Sequence, residues 1–169
     1  ATVTGSGTAS VTLTGTVAQI NTTLAASNNV VYRGGLNFNG SDTLTVTAND
    51  NGNTGSGGAL SDTKTVAITV TAINDSPVVA VPGPQTVNED TNLTITGISV
   101  ADVDAAAGSV TVTLGVANGT LTVASAGGAT VTGSGTASVT LTGTVAQINT
   151  TLAASNNVVY RGGLNFNGS

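Results

Sequence analysis

Apolar and polar residues alternate along most of this chain. Val11 and Leu13 alternate with Thr12 and Thr14, and Leu44, Val46 and Ala48 with Thr43, Thr45 and Thr47. The same step of two returns at Val66, Ile68 and Val70, at Leu93 and Ile95, at Val110, Val112 and Leu114, and at Leu121 and Val123. Successive side chains on a strand point to opposite faces, so the pattern predicts short strands with one buried face and a Thr-rich outer face. Turn-forming runs such as Asn39-Gly40 and Ala117-Asn118-Gly119 punctuate them, which points to a β-sandwich. The longest alternating run, Leu60 to Ile73, predicts one extended strand across that whole segment. One stretch departs from period two. Val17, Ile20 and Leu24 stand at i, i+3 and i+7 behind Thr16, a good N-cap residue, so the spacing predicts a short crossover helix over 17–26. Val145, Ile148 and Leu152 repeat that spacing and predict a second helix over 145–154.

A repeat sets the larger organisation. Residues Ala1–Ser41 recur without a change as Ala129–Ser169, so that residue n and residue n + 128 are the same throughout the segment. Periods of about 20–50 residues signal solenoids and propellers. A period of 128 is domain-sized and signals an array of beads. The 169 residues then read as a window on a tandem array. Pro77 cannot continue a central strand, and Pro82 and Pro84 follow it, which places a joint near Asp75. On this reading residues 1–75 are the C-terminal part of one 128-residue repeat. Residues 76–169 are the N-terminal part of the next.

Composition narrows the chemistry. The chain has no His and no Cys, which removes Ser-His-Asp and Cys-His catalysis and the usual zinc, haem and iron–sulfur ligands. We therefore expect no enzymatic activity. Lys and Arg total 3 against 8 Asp and Glu, a net charge of −5, so neither nucleic acid nor an anionic membrane has an electrostatic handle. Two Tyr and two Phe provide no stacking platform. No apolar run reaches the roughly 18 residues of a membrane span, so membrane insertion is not expected.

Several segments together carry a family resemblance. Ala72-Ile73-Asn74-Asp75-Ser76-Pro77-Val78, Gln85-Thr86-Val87-Asn88-Glu89-Asp90-Thr91 and Asp102-Val103-Asp104-Ala105 resemble the cadherin-like tandem repeats of giant bacterial surface adhesins. Phe38–Thr45 and the Asp50–Asp62 segment resemble the same family, and the likeness covers essentially the whole period. The chain departs from the cadherin linker signature Asp-x-Asn-Asp-Asn at Ala72 and Ser76. The resemblance implies an all-β fold: immunoglobulin/cadherin-like β-sandwiches strung head to tail. It also implies export to the cell surface or beyond, with calcium stiffening the joints.

The acidic residues point the same way. All eight lie between Asp42 and Asp104, none in either copy of the repeated segment. Ca²⁺ takes six to eight hard oxygens from carboxylates, carbonyls and amides. Asp75 sits at the joint, Glu89 precedes a strand pattern, and Asp102 and Asp104 follow one. An extended backbone would point Asp102 and Asp104 to one side, where they could share an ion. The expected calcium ligands are Asn74, Asp75, Glu89, Asp102 and Asp104; solvated loop acids are the plainer alternative. The Asp50–Asp62 loop fits neither the EF-hand nor the nonapeptide calcium spacing, and turn chemistry explains it. Asn-x-Ser/Thr triplets at Asn21, Asn39, Asn92 and Asn118 are what a chain rich in Asn and Thr produces by chance. Lys64 shares strand parity with Val66 and Ile68 and is expected to pair with Asp62 or Asp42, a Lys–Asn crosslink being the rarer alternative. Tyr32, Tyr160, Phe38 and Phe166 are expected as core plugs.

The expected function is structural: a stalk or filament segment of a giant extracellular adhesin. Its expected partners are the neighbouring repeats of the same chain, and like chains in a filament or bundle. A binding module whose sandwich face contacts a like chain, a glycan or ice is the alternative, and an accessory domain of a secreted enzyme is a third.

Overall fold

The computed structural model describes residues 1–53 and 55–168. Thr54, in the Asp50–Asp62 loop, and Ser169, the last residue of the second repeat copy, lie outside the described residues. The chain divides into two compact units, Ala1–Ala72 and Ile73–Ser169. Among the described residues it is mostly β, built from small open antiparallel sheets of two or three strands, with two short helices. No helix among the described residues is long and apolar enough to cross a membrane.

The first unit holds β1 (Thr2–Thr4), β2 (Thr12–Thr14), α1 (Val17–Ala25), β3 (Gly40–Asn49) and β4 (Ser61–Val70). Among the described residues β1 pairs only with β2, and β3 only with β4. The β3–β4 ladder runs over ten residue pairs, from Gly40↔Val70 to Asn49↔Ser61. Leu44 faces Val66 and Val46 faces Lys64, while Thr47 and Thr63 meet on the other side with hydroxyls 3.0 Å apart. The alternation at Leu60–Ile73 therefore overreaches the strand, which ends at Val70 because its partner ends at Gly40.

The second unit holds β5 (Val78–Ala80), β6 (Asn92–Thr94), β7 (Ser99–Ala101), β8 (Ser109–Gly115), β9 (Thr120–Val123), β10 (Thr130–Thr132), β11 (Ser138–Thr144), α2 (Val145–Ala153) and β12 (Val158–Arg161). Its sheets run β10-β11-β8, β6-β12-β9 and β5-β7. Leu121 and Val123 of β9 are buried as their alternation predicts, in one core with Val139 and Leu141 of β11 and Val158 of β12, whereas the alternating Val11, Leu44, Val46 and Val66 of the first unit are exposed. Beside the buried residues, Thr120, Thr122 and Thr142 face out. Ile148 and Leu152 of α2 close that core, with Val145 partly buried beside them. Full burial of such a side chain stabilises the fold by about 1.5–3 kcal/mol. At the turn into β9, Gly119 has φ +101° and a Cβ there would strike the Arg161 carbonyl, so only glycine fits.

Both helices start at a capping box. Thr16 accepts from the Gln19 N–H and its own N–H donates to Gln19 Oε1 at 2.9 Å; Thr144 and Gln147 repeat the pair. The helices are therefore local products of the repeated sequence. The rest of the two copies is not alike. Val139, Leu141, Ile148 and Val158 are between 0 and 1% exposed, whereas no residue of Ala1–Ser41 is buried. Val158–Arg161 is a strand held between β6 and β9. The identical Val30–Arg33 forms no strand.

Two of the expected core plugs sit otherwise. Tyr32 and Phe38 are 44% and 41% exposed; the strands that flank Tyr160 have no counterpart beside Tyr32. Tyr160 is half-buried and packs against the core of its unit, and Phe166 is half-buried too.

Candidate functional site

Of the five expected calcium ligands, four fall into one hydrogen-bonded neighbourhood within the second unit. The Asp75 N–H donates to Asp104 Oδ2, and the Asn74 side-chain amide donates to the Asp75 carbonyl at 3.2 Å. Asp102 Oδ1 accepts from the Asp104 N–H at 2.9 Å and the Ala105 N–H at 3.1 Å. That is an Asx turn, in which a carboxylate replaces a backbone acceptor two residues on. Asp102 and Asp104 thus stand on a bend that follows β7, not on an extended segment, so the strand rule for i and i+2 does not govern them. Glu89 stands in the 88–91 turn, where Thr91 bonds back to the Asn88 carbonyl. No hydrogen bond joins Glu89 to the other four among the described residues.

The donor chemistry is right in kind for Ca²⁺. Asp102 Oδ2, Asp104 Oδ1, the Asp75 carboxylate and Asn74 Oδ1 make no hydrogen bond within the chain among the described residues. All are hard oxygens, and Asp75 and Asp104 are exposed. Their convergence is another matter: among the described residues, no three acidic side chains come together as a metal-holding group.

Other acids have local duties. Asp50 Oδ1 accepts from Gly52 N at 2.9 Å and Leu60 N at 2.8 Å, closing the base of the loop between β3 and β4, so turn chemistry accounts for this carboxylate. Those two N–H donors, Leu60 first, hold its carboxyl below the usual Asp range. Asp42 accepts the Tyr32 hydroxyl at 2.8 Å and the Thr43 N–H at 2.7 Å, which lowers its pKa, the tyrosine bond being the larger cause. The same bond raises the Tyr32 phenol. Lys64 Nζ lies 2.6 Å from Asp62 Oδ1, an exposed pair on one strand face. Of Asp62 and Asp42, Asp62 is the acid that pairs.

Sequence reasoning passed over a pair of asparagines. Asn149, on the inner side of α2, clamps the β7 backbone: its Oδ1 accepts from Val100 N at 2.9 Å and its Nδ2 donates to Val100 O at 2.8 Å. Asn157, 7% exposed, does the same just after β9. Its Oδ1 accepts from Ala124 N at 3.0 Å, and its Nδ2 donates to Ala124 O at 2.9 Å and Thr151 O at 2.6 Å. Thr151 Oγ1 accepts from Gly127 N at 3.0 Å. Each amide stands in for a strand neighbour, so together they fix which backbone lies on this face. In the first copy Asn29 keeps only the local bond among the described residues, to Thr23 O at 2.6 Å. Nothing in the spacing marks these residues, since Asn is abundant and the clamped backbone comes from a segment far away in sequence.

No protein-family model, no curated protein and no solved structure matches this chain.

Proposed function

We propose that the chain is a structural segment of a tandem array of immunoglobulin/cadherin-like β-sandwich repeats, working as the stalk or filament of a giant extracellular adhesin. One observation carries this reading: a 41-residue sequence recurs unchanged at a domain-sized offset of 128 residues. Unbroken identity over that length is the mark of an array that grows by duplication. The acidic, His-free and Cys-free composition supports a mechanical role over a catalytic one.

The mechanics follow from the ladders. β3 and β4 share ten residue pairs, a length of about 33 Å at ~3.3 Å per residue. Gly40 and Val70 pair at the open end of this hairpin, so tension carried along the chain would enter and leave at that end and load the rungs one after another. Calcium belongs to the same proposal, with Asp75, Asp102 and Asp104 as carboxylate ligands, Asn74 supplying an amide oxygen and Glu89 a further carboxylate. Bound, the ion would neutralise carboxylate repulsion, which is about 1 kcal/mol per pair at 4 Å in bulk water. It would also draw these side chains into one coordination shell.

Two measurements test the two parts. Antibodies raised against the chain should label intact producing cells; label that appears only after permeabilisation refutes the surface role. Melting of the 169-residue chain should rise between excess chelator and millimolar Ca²⁺, by mass action on the folded state. Asp104→Asn should abolish that calcium-dependent increment, whatever it does to the baseline through its bond to Asp75. Identical melting in both conditions removes calcium and leaves the acids as solvated loop residues.

A second reading, an adhesive face, is favoured by one feature. Thr43, Thr45, Thr47, Thr63, Thr65 and Thr69 share one side of the β3–β4 hairpin, and all are exposed. Such an even hydroxyl array suits a like chain or ice, while the scarcity of aromatic side chains disfavours a glycan.

A further inference from the structure

The chain contains four Asn-Gly steps, at Asn39, Asn51, Asn118 and Asn167. Such a step is a chemical weak point, because glycine has no Cβ to shield its amide nitrogen from the side-chain carbonyl before it. The fold treats the steps differently. At Asn51 the Gly52 N–H donates to Asp50 Oδ1 at 2.9 Å and the Asn51 N–H to Asn49 Oδ1 at 2.7 Å, so the nitrogen that would attack is tied up. At Asn39 the following Gly40 is the first rung of the β3–β4 ladder, opposite Val70. Asn167-Gly168 repeats that step next to Ser169, outside the described residues. Asn118 has neither restraint. Between β8 and β9 the last fixed point is the Val116 N–H, which donates to the Ala137 carbonyl at 3.0 Å. Neither the Gly119 N–H nor the Asn118 side-chain amide makes a hydrogen bond among the described residues, and Asn118 is exposed.

We propose that Asn118 is a self-modification site, a slow timer that converts the β8–β9 turn to isoaspartate. The Gly119 nitrogen loses its proton and attacks Asn118 Cγ. A C–N bond forms there as the Cγ–Nδ2 bond breaks, and the amide nitrogen leaves as ammonia with that proton. Water then opens the cyclic imide. Addition at the side-chain carbonyl gives an ordinary aspartate. Addition at the main-chain carbonyl gives isoaspartate, whose backbone runs through Cβ and Cγ. Either way an amide is exchanged for a carboxylate, water is the sole co-reactant, and nothing is oxidised or reduced.

The turn has no slack for the longer product. Gly119 sits so close to the Arg161 carbonyl that even a Cβ has no room there. The next residue, Thr120, pairs with Arg161 at the start of β9, and the buried Leu121 and Val123 follow. An inserted backbone methylene therefore either pushes Gly119 off Arg161 or draws the end of β9 out of register with β12. Ordinary aspartate leaves the backbone path as it was, so the fold senses the isoaspartate and not the added charge. The site lies wholly within the second unit, and the inference needs neither the adhesin nor the calcium proposal.

The test is peptide mapping by mass spectrometry of the full chain aged in warm, mildly alkaline buffer, with a parallel sample aged in concentrated urea. In the folded chain, conversion at Asn118 should outpace that at Asn51 and at Asn39 at least several-fold, with isoaspartate among its products. In urea the three sites keep the same glycine neighbour but lose the fold, and their rates should converge. Asp50→Ala releases the Gly52 N–H and should speed Asn51 several-fold while leaving Asn118 unchanged. Asn118→Asp, which adds the charge without the longer backbone, should melt with the fresh chain, whereas the chromatographically separated isoaspartate form should melt lower. Conversion at Asn118 no faster than at Asn51 or Asn39 overturns the proposal. So does a ranking that persists in urea, which would make it a property of sequence and not of the turn. An Asn51 rate unmoved by Asp50→Ala removes the restraint on which the ranking rests, and an isoaspartate form that melts with the fresh chain removes the effect on the fold.

Discussion

Asn29 and Asn157 occupy the same place in an identical sequence and should respond differently to the same substitution. Asn157→Ala removes three hydrogen bonds to backbone atoms of Ala124 and Thr151 at a site 7% exposed. A buried peptide group left without its partner costs about 1–3 kcal/mol, and water entering the vacated space recovers part of it. The net loss should be about 3 kcal/mol. Asn29→Ala removes a single bond, to the Thr23 carbonyl, at an exposed position where water replaces it. Its effect should be about 0.5 kcal/mol or less. The assay is urea unfolding of the full chain at low concentration, followed by far-UV circular dichroism. With a slope of about 1–3 kcal/mol/M for a domain of this size, Asn157→Ala should lower the midpoint of the second unit by about 1 M or more. Asn29→Ala should barely move either transition. Equal effects of the two substitutions would refute the reasoning, because they would put both asparagines in the same environment.

The same asymmetry should appear in the apolar positions. Leu152→Ala, at a site 3% exposed, should cost about 2–5 kcal/mol, whereas Leu24→Ala, at 44%, should cost about 1 kcal/mol or less by the same unfolding assay. The loop closed by Asp50 should be pH-sensitive. Because its folded pKa lies below the unfolded value, the stabilisation is fully present above the ordinary Asp range and is lost as pH falls through the depressed folded value. Amide exchange at Leu60 should therefore accelerate on acidification beyond the intrinsic trend, and Asp50→Asn should flatten that dependence.

The elements legible in the sequence are those whose causes are local. The helices arise from a capping box and the 3.6-residue spacing of three apolar side chains, and they form in both copies, covered or not. The β1–β2 and β10–β11 hairpins are alike for the same reason: Thr8 and Thr136 each fold the turn back onto a glycine carbonyl. Val30–Arg33 shows where local reasoning stops. Its β-branched run has every propensity for a strand, and as Val158–Arg161 it is one. Without β6 and β9 on either side its ladder bonds have no partners. Strand formation there is a property of residues some 30–70 positions away, which no window centred on Val30 contains.

The candidate site divides the same way. Alternation and a nearby proline put Asn74, Asp75, Asp102 and Asp104 at the ends of strand patterns, and the backbone does join them. For Asp102 and Asp104 to face one way the backbone between them must be extended, and a short acidic side chain is the residue least able to guarantee that. Asp can hydrogen-bond the N–H two residues ahead and so replace the strand by a turn, as Asp102 does here. The choice between strand and turn rests on whether a neighbouring strand offers partners to residues 102–104. β7 ends at Ala101, where its register with β5 ends at Val78. With no ladder to continue, the carboxylate becomes the best acceptor within reach. The spacing of two acids after a strand therefore reports the end of a sheet as readily as a metal site, and the calcium titration is the measurement that separates the two.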